Sequence, residues 1–151
     1  FQLRILHRII PTEKYLHSCK IVESPLCSFC KAENETIDHL FFQCGKTKQL
    51  WDRLVAIIHD KCIHVHNLRF DAKLILFGMS EGMETDGGLD RIILWTKFYV
   101  YKCKMQKTEP TFQVLIQSMK YRWKNEKYIS ILNNSQDNFN RIWVPYLSLF
   151  D

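Results

Sequence analysis

The sequence predicts a mostly α fold, and three observations carry that expectation. Apolar residues recur at spacings of three and four along most of the chain. Only 5 of the 151 residues are Gly and 4 are Pro, too few for a turn-rich sandwich or a disordered chain. The third is the run Cys27-Ser-Phe-Cys30-Lys-Ala-Glu-Asn-Glu-Thr-Ile-Asp-His39-Leu-Phe-Phe-Gln-Cys44, which reads C-x2-C-x8-H-x4-C. Three thiolates and one imidazole in two close pairs are the donor set that closes a tetrahedral structural zinc site. The expected architecture is a small zinc-stabilised N-terminal half, residues 1–79, packed with a helical, basic C-terminal half, residues 80–151. The two are read either as separate regions or as one continuous domain.

Each element follows from its own pattern. Gln2 to Ile10 places Leu3, Leu6, His7 and Ile10 at helical spacing and stops at Pro11. Thr12 suits the N-cap of a second short helix with Tyr15, Leu16 and Cys19 on one face. Pro25 disfavours helix at Ser24, so Ile21 to Leu26 is expected to run extended into the metal turn. From Thr36 the helical pattern returns in Ile37, Leu40, Phe41 and Cys44. His39 and Cys44 would lie about 1.4 turns apart on an unbroken α-helix. That helix is therefore expected to end near Gln43, with Gly45 beyond it releasing Cys44 toward the metal.

A further helix carries Leu50, Trp51, Leu54, Val55 and Ile58 and ends near Lys61. Asp71 to Phe77 fits a short buried helix or a strand, ended in either case by Gly78. Ser80 to Gly88 holds three of the five glycines and three acids, which reads as a loop and as the boundary between the halves. Leu89 to Gln106 is the strongest helix. Its core stripe is Leu89, Ile92, Ile93, Thr96, Tyr99, Val100 and Cys103, and Leu94, Trp95, Phe98 and Tyr101 make it apolar nearly all round. After Pro110-Thr111 comes a helix with Phe112, Leu115, Ile116, Met119 and Trp123. A last one is capped by Ser135, runs through Trp143 and is broken by Pro145.

The metal reading has rivals. A lone C-x2-C also arises in redox dithiols and by chance, a buried Cys behaves as a small hydrophobe, and disulfides are conceivable. The chain starts at Phe1 without a charged n-region, apolar h-region or cleavage site, so no signal peptide is expected. The missing initiator Met points to a piece of a longer protein. Its apolar runs fall short of the ~20 residues that span a bilayer, so no membrane partner is expected. Six Cys in a non-secreted chain favour metal over disulfides. With four protein donors no position stays open for water or substrate, so the site is read as structural rather than catalytic. A second set, His59, Cys62, His64 and His66, lacks the paired spacing, and a His near a helix C-terminus more simply complements its dipole. Cys19 and Cys103 lie on apolar faces and are expected in the core.

Charge is unevenly placed. Residues 1–96 hold 12 Lys+Arg and 12 Asp+Glu, whereas residues 97–151 hold 9 and 4, so the net +5 lies wholly in the last third. Such asymmetry suits an anionic partner, nucleic acid first, or merely a solvated helix face. The basic stretch is Lys97, Lys102, Lys104, Lys107, Lys120, Arg122, Lys124 and Lys127. Tyr101, Tyr121, Trp123 and Tyr128 are interleaved with it. Cations bind phosphates and aromatic faces stack on unpaired bases, and Tyr121 and Tyr128 look available on one outward face. The metal site itself would carry −1, so attraction of phosphate there falls to neighbours such as Lys31, Lys46 and Lys48. There is no Gly-rich phosphate loop, G-x-S-x-G or H-E-x-x-H, and the acids are scattered. No catalytic residue is assigned.

At Cys27, Cys30, Glu35-Thr36, His39-Leu40-Phe41, Cys44 and Trp51 the sequence resembles the zinc-binding domain that follows the reverse transcriptase in non-LTR (LINE-type) retrotransposon polyproteins. The lead-in Leu6-His7-Arg8-Ile9-Ile10-Pro11-Thr12 is similar to the stretch just upstream in that family. The resemblance covers about residues 1–60. It implies zinc on Cys27, Cys30, His39 and Cys44, with Glu35, Leu40, Phe41 and Trp51 as packing and orienting residues. It also implies a parent protein that copies element RNA into DNA at a nicked target, and an intracellular location in nucleus and cytoplasm. The chain has no Tyr/Phe-x-Asp-Asp polymerase motif and no endonuclease signature, so it is not expected to be an enzyme by itself. The expected role is an accessory module holding RNA or target DNA through Lys46, Lys48, Lys120, Tyr121, Arg122, Lys124, Lys127 and Tyr128. The alternative is a structural module that packs on the polymerase body.

Overall fold

Helices make up most of the described residues. The computed structural model describes residues 1–62, 65, 68–78 and 86–150, and among them the only β pairing is an isolated antiparallel bridge between Leu26 and Asn34. In order come α1 (Gln2–Leu6), α2 (Glu13–Ser18), a π-helical turn (His39–Gln43), α3 (Gly45–Lys61) and α4 (Ala72–Phe77). They are followed by α5 (Gly87–Gln106), α6 (Phe112–Leu132), α7 (Gln136–Trp143) and a closing 3-10 helix (Val144–Leu149).

The N-terminal helices are shorter than their apolar patterns. α1 stops at Leu6, and Arg8 then adopts a left-handed φ of 54°. Ile5 and, beyond that turn, Ile10 are buried in the core, while Leu3 and Leu6 face outward. Of the expected stripe, Leu3, Leu6 and His7 thus face outward and Ile10 alone is buried, because the helix ends before its spacing can be used. α2 starts as expected, with Thr12 Oγ1 accepting from Tyr15 N at 3.3 Å. None of its residues is buried, and Cys19, expected in the core, is exposed.

α3 buries Leu50, Trp51, Leu54 and Ile58 with Val55 half-covered, and it ends at Lys61. α4 resolves the helix-or-strand ambiguity through its caps. Asp71 Oδ1 accepts from Leu74 N at 2.9 Å, and Gly78 closes the helix at φ 73°. α5 is the central helix, burying its expected stripe and Trp95 besides. It begins two residues early. Asp86 accepts from Gly88 N and Leu89 N, so Gly87 and Gly88 open a helix instead of ending a loop. A Cβ on Gly88 would come within 2.5 Å of the Tyr146 ring and 2.7 Å of Ile142 O, so close packing explains this glycine. Residues 80–85 of the expected loop, and the 79/80 boundary, lie outside the described residues.

The C-terminal segments fold over α5 through aromatic rings. Trp95 stacks on Trp143 at 5.1 Å and Trp123 on Phe150 at 5.5 Å. Ser135 precedes α7 but makes no cap bond, its hydroxyl turning instead to Ser130 O at 3.4 Å. α7 ends at Trp143 as expected, and Pro145 follows at the start of the 3-10 helix, where its missing N–H costs nothing. Chain ends meet in sequence-distant pairs: Lys61 Nζ donates to Ser148 O at 2.7 Å, and Gln2 Nε2 to Leu76 O at 2.8 Å.

Lys97, part of the basic stretch, is 2% exposed. Its ammonium donates to Gln2 Oε1 at 2.6 Å and to Leu76 O at 3.3 Å, closing the C-terminus of α4. Burial pulls its pKa down to about 8 from 10.5, against the attraction of Asp90. Between those values the unfolded chain holds more protons than the folded one, so this group adds stability as pH rises. The folding free energy of the parent should gain about 2 kcal/mol on Lys97→Met between pH 8 and 10, read by urea denaturation. Parallel pH profiles would refute it.

Candidate metal centre

The C-x2-C turn is held before any metal is considered. Cys27 N donates to Glu33 O at 2.7 Å and Glu35 N to Pro25 O at 2.8 Å, making a narrow hairpin around the Leu26–Asn34 bridge. Lys31 N bonds Cys27 O at 3.0 Å and takes a left-handed φ of 56°, which folds Cys30 back beside Cys27. Phe29 N points at Cys27 Sγ, 3.4 Å away.

The second pair comes from the π-helical turn. Cys44 N bonds His39 O, five residues back, at 2.7 Å. The wider turn brings residues five apart onto one side, which an α-turn would not. This replaces the expected release by Gly45, which is already the first residue of α3. Widening frees carbonyls that α3 then satisfies. Thr47 Oγ1 donates to Leu40 O at 2.9 Å and Trp51 Nε1 to Phe41 O at 2.7 Å, both buried. Leu40, Phe41 and Trp51, expected as packing residues, are buried here. Thr47, flanked by Lys46 and Lys48, carried no sequence signal.

Cys27, Cys30, His39 and Cys44 converge. Cys27 Sγ lies 3.8 Å from Cys44 Sγ, Cys30 Sγ lies 3.3 Å from His39 Nε2, and all four donor atoms fall within 4.8 Å of one another. Zn–S bonds near 2.3 Å and a Zn–N bond near 2.0 Å in a tetrahedron require edges of about 3.8 and 3.5 Å. The group can therefore hold a metal ion with little rearrangement. A second observation fits: buried His39 Nδ1 makes no hydrogen bond, yet lies 3.4 Å from Glu33 Oε2. With Nε2 on a metal, Nδ1 carries the proton and faces a carboxylate, the arrangement that orients histidine ligands. Glu33 was missed because an exposed acid in a turn looks like any solvated charge.

Cys27 and Cys44 are hydrogen-bonded through their sulfurs at 3.8 Å. Cys27 is pushed up by its hydrogen bond to Cys44 and by burial, and Cys44 is pulled down by the same bond, with backbone N–H groups of Thr47 and Lys46 helping. A cation would replace the proton of that bond and leave both sulfurs as thiolates.

Glu35 lies behind the turn, wholly buried. It accepts from Ser28 N at 2.7 Å, Ser28 Oγ at 2.5 Å and Glu13 N at 2.9 Å, so it fixes the backbone between Cys27 and Cys30 and the start of α2. Lys104 Nζ reaches it from α5 at 2.9 Å and bonds Glu13 Oε1 at 2.6 Å. Burial alone would raise the Glu35 pKa. The bonds from Ser28, Lys104 and Glu13 outweigh it and hold the carboxyl below its usual value. Lys104 was grouped with the surface cations; its spacing on α5 equally places it inward, and no sequence pattern pairs it with Glu35.

The residues expected to meet an anionic polymer divide. Lys46 is exposed but paired with Glu109 at 3.2 Å, and Lys48 is exposed. On α6, Lys120, Lys124 and Lys127 recur at i, i+4 and i+7, one helix face. Lys127 Nζ lies 5.3 Å from the Trp123 ring. Tyr121 and Tyr128 are 67% and 63% exposed on the neighbouring face. Arg122 points elsewhere, its guanidinium over the Phe98 ring of α5 at 5.1 Å. Lys97 and Lys104 leave the surface altogether. Of the second His/Cys set, His59 Nε2 is bonded to Leu68 O at 3.1 Å and Cys62 is buried. His64 and His66 lie outside the described residues.

Comparison with protein families agrees with this geometry. Residues 1–51 match the family model described as zinc-binding in reverse transcriptase, a stretch that contains all four convergent side chains and ends on Trp51. No curated protein matches the chain. No helix among the described residues is long and apolar enough to cross a membrane.

Two outcomes are expected. One equivalent of zinc should bind and be lost in Cys44→Ser, measured by native mass spectrometry, and a chelator should lower the thermal midpoint of the parent but not of the variant. Lys104→Met should destabilise by about 3–5 kcal/mol in urea denaturation, because it strands a buried carboxylate. A loss under 1 kcal/mol would show that the pair is not structurally coupled.

Proposed function

We propose that this chain is a zinc-stabilised nucleic-acid-binding module of a non-LTR retrotransposon reverse transcriptase, accessory to catalysis and not catalytic by itself. Zinc on Cys27, Cys30, His39 and Cys44 is the natural occupant of three thiolates and one imidazole at tetrahedral spacing. A closed set of four protein donors suits a structural ion. Its partners would be RNA or target DNA and the remainder of the parent polymerase, in nucleus and cytoplasm.

The observation that carries the nucleic-acid reading is the α6 stripe of Lys120, Lys124 and Lys127 beside the outward rings of Tyr121 and Tyr128. Cations at one-turn spacing track phosphates, and neighbouring rings offer stacking surfaces for bases. Lys46 and Lys48 at the start of α3 would add contacts near the metal. One observation favours the packing alternative: Leu3, Leu6 and Ile9 are exposed together at the N-terminal end, apolar surface that a polymerase body would cover.

The test is binding of zinc-loaded protein to structured RNA, single-stranded DNA and duplex DNA over a salt series. Replacing Lys120, Lys124 and Lys127 together by Gln should weaken binding and reduce the salt slope by about 2 to 3. An unchanged slope would remove this face from the interface, and absent binding by the parent would leave the packing role.

A further inference from the structure

α5 and α6 diverge at Tyr121, next to the α6 lysine stripe, and leave a groove of about 650 Å³, within the ~300–1,000 Å³ of small-ligand sites. Its walls follow helical spacing. Trp95, Phe98 and Lys102 line it from α5; Ser118, Tyr121 and Asn125 line it from α6. Tyr99 braces one end, its hydroxyl accepting from Thr111 N at 3.0 Å and donating to Thr111 O at 3.1 Å.

We infer that this groove receives an unpaired nucleotide of a single-stranded nucleic acid, base against Tyr121 and phosphate toward Lys102 and Arg122. The inference rests on the nucleic-acid reading above and adds a second contact surface to it. Charge supports the occupant. Lys102 and Arg122 are the cations of the lining, and its acid, Glu109, is already paired with Lys46 at 3.2 Å. Arg122 is held over Phe98 at 5.1 Å, so its guanidinium is fixed beside the groove before any ligand arrives. Tyr121 is 67% exposed, so a ring face is open to stacking, while Ser118 and Asn125 offer hydrogen-bonding groups to base edges. A duplex would not fit, because its bases are stacked on one another and its backbone cannot enter a groove of this volume.

The test titrates zinc-loaded protein with fluorescent oligo(U), oligo(dT) and a duplex of equal length. Asn125→Phe, at an exposed position, fills the groove from its rim, Lys102→Gln removes a cation, and Lys124→Gln serves as the control on the lysine stripe outside the groove. The groove variants should weaken single-strand binding by about tenfold and leave duplex binding unchanged, with zinc content as in the parent. The stronger of the oligo(U) and oligo(dT) effects identifies RNA or DNA as the strand. Groove variants that bind single strands like the parent, while Lys124→Gln binds more weakly, would overturn the groove and spare the nucleic-acid reading. A parent that binds none of the three would overturn both.

Discussion

An ammonium and two carboxylates, Lys104, Glu13 and Glu35, meet in the interior where the metal turn, α2 and α5 come together. Burying such charges is costly, and their mutual attraction compensates only where every remaining donor and acceptor is used. Here they are used. Glu35 takes two backbone N–H groups and a hydroxyl as well as the ammonium, and Lys104 spans both acids. An apolar trio would fill the same space, but it would not hold Ser28 N and Glu13 N in place. The network therefore specifies where the turn sits on α5, and the donor atoms inherit that position.

The π-helical turn works on the same problem from the other side. Five-residue spacing between His39 and Cys44 is awkward for an α-helix and natural for one wide turn. The cost appears as unpaired carbonyls at Leu40 and Phe41, and α3 answers with Thr47 and Trp51. Trp51 is thus both a core ring and a cap on the element carrying the ligands.

Much of this was legible in the sequence, for identifiable reasons. Ligand types and spacing are local, so Cys27, Cys30, His39 and Cys44 stood out, and so did the long amphipathic helices α3 and α5. The short elements misled. α1 ends after five residues, so Leu3 and Leu6 never reach the interior, and Gly87 and Gly88 read as loop because their role depends on Tyr146 far along the chain. Lys97 and Lys104 looked like surface charge because their partners are remote. Glu33 lay within the motif yet carried nothing that marks it as facing His39. Composition counts cations; only tertiary contacts say which of them water can see.

The sequence distances of these contacts also order the chain's assembly. Cys27 and Cys44 are 17 residues apart, whereas Lys104 and Glu13 are separated by 91. The entropy of closing a loop grows with the logarithm of its length, so the longer closure costs about 1.5 kcal/mol more before its contacts form. A nascent chain can gather its four metal donors while α5 is still being made. The buried ammonium then arrives at a partner surface already shaped, and docking becomes capture by a preformed template.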